Sequence, residues 1–133
     1  MSKIVSLSEA ASIALHAMIL VGRSKGSSVN VDQIAEVTGS SRHHVAKVMQ
    51  RLAKDGFVSS YRGPNGGFYL QRNENDISLL EIYESIEGKI TPTSCPMDKQ
   101  VCNFNQCFFN NITYDLTIRF QTYMKEQKLA QHL

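Results

Sequence analysis

Three cysteines, Cys95, Cys102 and Cys107, fall within thirteen residues of a 133-residue chain, with gaps of six and four residues between them. A thiolate is both a nucleophile and a soft metal ligand. These gaps are not the close C-x-x-C pairs of a structural zinc site, so zinc is weakly supported. Three thiolates on a loop that enters a helix can instead wrap an iron–sulfur cluster. The loop offers no fourth ligand, which leaves one iron open to oxygen, nitric oxide or loss. That lability is a defect in an electron carrier and useful in a sensor. Two other readings stay open. The cysteines can be buried small hydrophobes, or thiols that switch by forming a disulfide, for instance between Cys102 and Cys107.

A second set of residues offers binding chemistry rather than redox chemistry. At about 100° per residue, Val45, Val48, Met49 and Leu52 form one apolar helical stripe. Ser40, His43, Lys47, Gln50, Arg51 and Lys54 fall on the opposite face, with Arg42 at the flank of the first turn. Ser40 or Ser41 is a candidate N-cap and Gly56 a stop. From Arg42 to Arg62 there are five Lys or Arg residues and one acid, Asp55, although the whole chain carries only +2. Charge concentrated in this way suits phosphate binding; an ordinary solvated helix face is the alternative.

The neighbouring elements favour the first reading. Asn30 and Gln33 resemble a capping box, Val31, Ile34, Ala35 and Val37 an apolar stripe, and Gly39 a helix stop. Two short helices around Gly39 and Ser40 make a helix-turn-helix. Phe57 to Tyr61 is β-prone, Arg62 to Gly67 is turn-like, and Phe68 to Leu70 returns as a strand. The stretch from Asn30 to Leu70 thus reads as a winged helix-turn-helix. Its candidate contacts to double-stranded DNA are Ser40, Ser41, Arg42, His43, Lys47, Arg51, and, at the wing, Arg62 and Asn65.

The remaining elements must position these two sets. Ser6 and Glu9 have capping-box spacing ahead of a helix running to about Val21, and Ser78 and Glu81 have it ahead of a helix closed by Gly88. Pro92 and Pro96 bar regular helix in the cysteine loop. Phe104, Phe108, Ile112, Leu116, Phe120 and Met124 recur every four residues. That periodicity predicts a helix from about 104 to 129, roughly 35 Å at about 1.5 Å per residue. Its apolar stripe calls for a second surface, and another copy of the chain is the economical choice. The expected fold is mainly α with a small β-hairpin. A DNA-binding domain would span 1–88, followed by a cysteine loop (89–107) and a dimerisation helix within 89–133. His132 is expected in a mobile tail. Nothing resembles a nucleophile–base pair, a phosphate loop or a zinc-hydrolase motif, so no enzyme is expected. No stretch resembles a membrane span or a signal peptide, and the protein is expected in the cytoplasm.

The run Val45-Ala-Lys-Val-Met-Gln-Arg-Leu-Ala-Lys-Asp-Gly-Phe-Val, then Arg62-Gly-Pro-Asn-Gly-Gly, then three spaced cysteines, resembles one family of bacterial regulators. It is the family of the iron–sulfur cluster regulator IscR, the nitric-oxide-sensing repressor NsrR and the iron-responsive repressor RirA. The likeness covers nearly the full length. It implies a homodimeric transcription factor, probing a pseudo-palindromic operator, whose cluster state controls DNA binding. It implies also that the long helices of two subunits cross at the interface. In the IscR pattern a histidine follows the last cysteine by three residues; here that position is Asn110. In the NsrR-like pattern an acid from the partner's N-terminal helix completes the site, and the matching position is Glu9. Glu9 as ligand and Glu9 as capping-box acid are competing roles. Three cysteines plus a carboxylate fit a 4Fe-4S cluster best, with 2Fe-2S as the runner-up. His16 is expected to be structural, and His43 and His44 to belong to the DNA face.

Overall fold

A computed structural model of the chain describes residues 1–97 and 101–133. The expected cysteine loop (89–107) includes Asp98, Lys99 and Gln100, which lie outside the described residues. The elements run α1 (Glu9–Arg23), α2 (Val31–Thr38), α3 (Arg42–Lys54), β1 (Val58–Tyr61), β2 (Gly67–Leu70), a 3-10 turn (Glu74–Asp76), α4 (Leu79–Glu87), α5 (Ile112–Glu126) and a second 3-10 turn (Leu129–His132). No helix among the described residues is long and apolar enough to cross a membrane.

Local chemistry sets most boundaries. Asn30 and Gln33 close a capping box at the start of α2, as Ser78 and Glu81 do at the start of α4. Ser41, not Ser40, caps α3 by accepting from the His44 N–H at 3.1 Å. α3 ends with Phe57 N–H on the Leu52 carbonyl and Gly56 N–H on the Ala53 carbonyl. That paired geometry needs a left-handed residue, and Gly56 supplies it at φ +84°. Val45, Val48, Met49 and Leu52 turn inward as the periodicity predicts. They meet Ile13, Ala17 and Met18 of α1 and Ile82 of α4 in one core. β1 and β2 pair antiparallel, Val58 with Leu70 and Tyr61 with Gly67, and Val29 adds a bridge to Phe68.

Four expectations fail. The Ser6–Glu9 capping box does not form, because Ser8 caps α1 by accepting from the Ala11 N–H. Val37 does not join the buried stripe of α2 and is 61% exposed. The last helix begins eight residues later than predicted, at Ile112. Its expected early members, Phe104 and Phe108, lie exposed ahead of it. The cause is local: Asn110 and Asn111 both have positive φ, 46° and 66°. Two consecutive left-handed residues cannot continue a right-handed helix, and asparagine tolerates that region best after glycine. α5 is therefore about 22 Å long rather than 35 Å. Fourth, the segment after α5 is not a loose tail. Leu79 N–H donates to the Gln127 carbonyl at 2.9 Å, and Leu129 N–H to that of Ile77 at 2.8 Å. Leu129 is fully buried in the common core, and His132 Nε2 lies 3.1 Å from Gln127 Oε1.

Candidate nucleic-acid interface and cysteine loop

The outer face of α3 carries Arg42, His43, Lys47, Gln50 and Arg51, all exposed. Exposure alone does not make them equivalent. Lys47 has no ion-pair partner among the described residues. Arg42, in the first turn, has its Nε 2.6 Å from Asp32 Oδ1 on α2. Arg51 donates from Nε to the Ser85 carbonyl of α4 at 3.0 Å and lies 3.4 Å from Asp55. Ser85 Oγ in turn donates to Asp55. Arg51 thus ties the recognition helix to α4 instead of standing free in front of it. Ser40 is half-buried at the turn, and the Ser41 hydroxyl is occupied by its cap.

The wing tip holds Arg62 and Asn65, both exposed. Two glycines are required there. A Cβ on Gly66 would lie 2.5 Å from the Tyr61 carbonyl oxygen, and one on Gly67 2.8 Å from the backbone of Val29. Ser28 Oγ reaches the Asn65 carbonyl at 3.5 Å, steadying the tip from the α1–α2 loop. Tyr61 stacks on Tyr69 with ring centroids 4.4 Å apart, and is 56% exposed beside Arg62. Between the start of α2, Arg42 and the wing lies a cleft of about 350 Å³, lined by Asn30, Asp32, Arg42, Tyr61, Gly63 and Pro64 among others. Asp32 and Tyr61 are the two residues here that pattern reading passed over. Asp32 carried a signal, an acid in a helix's first turn, but its partner was not written in any periodicity.

The cysteines present a different picture. All three are free thiols; Cys95 is half-buried, while Cys102 and Cys107 are exposed. None is a buried small hydrophobe, and that reading is set aside. The described part of the loop has irregular backbone, held by local bonds such as Ile90 N–H to Glu84 at 2.8 Å and Thr93 Oγ1 to the Cys95 carbonyl at 3.1 Å. Among the described residues no three His, Cys, Asp or Glu side chains converge as a metal site within one chain. The donor types suit an iron–sulfur cluster, and the lone chain does not preassemble them. Glu9, free of its expected capping box, lies with Oε1 2.9 Å from His44 Nδ1 on α3. His44 is thus engaged by α1. His16 bonds locally, its Nδ1 2.7 Å from the Ser12 carbonyl oxygen.

The profile of the Rrf2 family, described as an iron-dependent transcriptional regulator, matches residues 7–133. The chain belongs to the Rrf2 family. Among curated Rrf2-like relatives, the HTH-type transcriptional regulator IscR of Yersinia pestis is 26% identical over 119 residues, covering 90% of this chain and 68% of that protein. Among solved structures, CymR, the global cysteine regulator of B. subtilis, superposes with a TM-score of 0.78 at 20% identity, covering 96% of this chain and 95% of CymR. IscR of T. potens superposes at 0.74 with 23% identity, covering 96% of this chain and 85% of that one. At these identities the two structures establish a shared winged-helix fold. The resemblance read from the residues therefore holds at the level of the family. This Rrf2 chain is a DNA-binding transcriptional regulator and not an enzyme.

Proposed function

We propose that the chain acts as a homodimeric repressor whose affinity for a pseudo-palindromic operator is set by a labile iron–sulfur cluster, sensing nitric oxide, redox state or iron supply. Cys95, Cys102 and Cys107 would hold the cluster, with Glu9 of the partner subunit as fourth ligand. A 4Fe-4S cluster is favoured and 2Fe-2S is the alternative. Bound there, the group supplies an iron that oxygen or nitric oxide can reach. The observation that carries the reading is the state of the three thiols: free, none of them fully buried, and on irregular backbone that can close around a ligand. Thiolate ligation by all three would hold Cys95, Cys102 and Cys107 to one centre between α4 and α5. α4 is bonded to the recognition helix through Arg51 and Ser85, so a constraint at its C-terminal end bears on α3.

On the DNA side, Arg42, His43 and Lys47 would face the major groove, with Ser40 and Ser41 at the approach of α3. Arg62 and Asn65 would reach phosphate or the minor groove. Arg51, held to Ser85 of α4 through Nε, would keep its Nη fork for backbone phosphate. The exposed apolar residues of α5, among them Ile112, Leu116, Ile118 and Tyr123, support a second copy as the occupant of that face.

A cluster-free thiol switch is the second reading. Two observations favour it: the ligands do not converge in one chain, and Glu9 already has a partner in His44. Anaerobic purification with absorption spectroscopy and iron and sulfide analysis separates the two. A brown protein with a broad band near roughly 400 nm, lost in Cys102→Ala, is expected. A colourless, iron-free wild type whose DNA binding still responds to peroxide would replace the cluster by thiol chemistry.

A further inference from the structure

Arg42 is the cation of α3's first turn, and its geometry is defined by a residue outside α3. Asp32 of α2 sits 2.6 Å from Arg42 Nε. The closest approach is at Nε, and the fork of Nη1 and Nη2 makes no hydrogen bond among the described residues. That fork is the part of a guanidinium that grips the O6/N7 edge of guanine or two phosphate oxygens. A long arginine side chain in solvent otherwise samples many rotamers, and each contact must first offset that freedom. A carboxylate at Nε removes part of the freedom beforehand and leaves the reading end available.

The position of Asp32 has a second effect. It lies in the first turn of α2, whose free N–H groups would otherwise attract a phosphate. It also lines the cleft between α2, Arg42 and the wing, on the side proposed to face DNA. An acid in that place repels the backbone of every duplex equally, whatever its sequence.

We propose that Asp32 is the specificity-setting positioning residue of this regulator. It aims the Arg42 fork at a base edge and withholds Arg42 from indiscriminate phosphate contact. The proposal rests on the assignment of Arg42 as a base reader. It implies an unusual sign. Removing the acid should strengthen binding to arbitrary DNA while eroding the preference for the correct site. A merely structural role would weaken both.

The test uses the full chain and two duplexes: one enriched from a random library by the wild-type protein, and a scramble of the same composition. Asp32→Asn keeps side-chain size and a good helix-start residue. Both partners are largely exposed, so melting curves should coincide with wild type. Expected are a two- to threefold tightening on the scramble and a five- to tenfold narrowing of the ratio between the duplexes. Asp32→Glu, which keeps the charge, should recover part of the ratio. In an Arg42→Ala background the Asp32 substitution should leave the ratio unchanged. If Arg42→Ala weakens both duplexes equally, Arg42 is no base reader and the assignment falls together with the proposal. If Arg42→Ala narrows the ratio but Asp32→Asn keeps it within twofold of wild type, the proposal alone is overturned. Narrowing by Asp32→Asn that persists without Arg42 also overturns it.

Discussion

Lys47 stands in the middle of the exposed face of α3 with no acid paired to it among the described residues, whereas Arg42 and Arg51 on the same helix are both held by neighbours. A free ammonium there is a point charge for phosphate rather than a reader of bases. Lys47→Ala should therefore lower the slope of log affinity against log salt by about 0.9 and weaken operator and scrambled duplexes alike. An unchanged slope would remove Lys47 from the phosphate contacts. Which residues share that face was legible from a 3.6-residue period. Which of them are free was not. Arg51 is bonded across 34 residues to Ser85, and His44 across 35 to Glu9. A periodicity records the face a side chain takes and carries no information about the element that comes to meet it. The same limit explains Glu9. Its spacing from Ser6 fitted a cap, yet Ser8 was nearer to the first free N–H groups and took that role.

At the scale of elements, the caps decide where helices begin, and one of them titrates. Burial raises the pKa of Glu81, but the Ser78 N–H and the Arg72 guanidinium outweigh it, and the carboxyl ends below its usual range. A carboxylate depressed in the folded state contributes stability above its ordinary pKa. That contribution is lost as pH falls through the lowered value. Glu81→Gln should flatten the acid limb of the stability profile, and at neutral pH cost about 0.5–1 kcal/mol, held to that range by solvent around a side chain 43% exposed. Urea unfolding at several pH values checks both; an acid limb as steep as wild type would place the titrating group elsewhere. Both capping boxes of α2 and α4 were readable because their donors and acceptors lie within four consecutive residues. The start of α5 was not. Apolar residues at every fourth position continue back through Phe108 and Phe104, while the interruption resides in backbone dihedrals at Asn110 and Asn111. Asparagine permits such dihedrals without announcing them.

For the molecule as a whole, α5 poses the main question of assembly. Met124 is buried within the chain, but Leu116 and Ile118, earlier on α5, are 45% and 36% exposed. The double substitution Leu116→Asp and Ile118→Asp should halve the sedimenting mass without lowering the melting temperature of the single chain. It should cost about a hundredfold in operator affinity, because two half-sites no longer share one ligand. A variant that stays dimeric would move the interface off α5. The segment after α5 behaves in the opposite way. Leu129 fills the core beneath α1 and α4, and Leu133 lies against Gly22. On the ribosome this has a plain outcome. The winged helix is synthesised well before the side chains that complete its core, so a nascent chain exposes its recognition helix on an unfinished support. A message cut short before Leu129 should therefore yield a winged helix lacking part of its core, with a lowered melting temperature and a weakened hold on DNA.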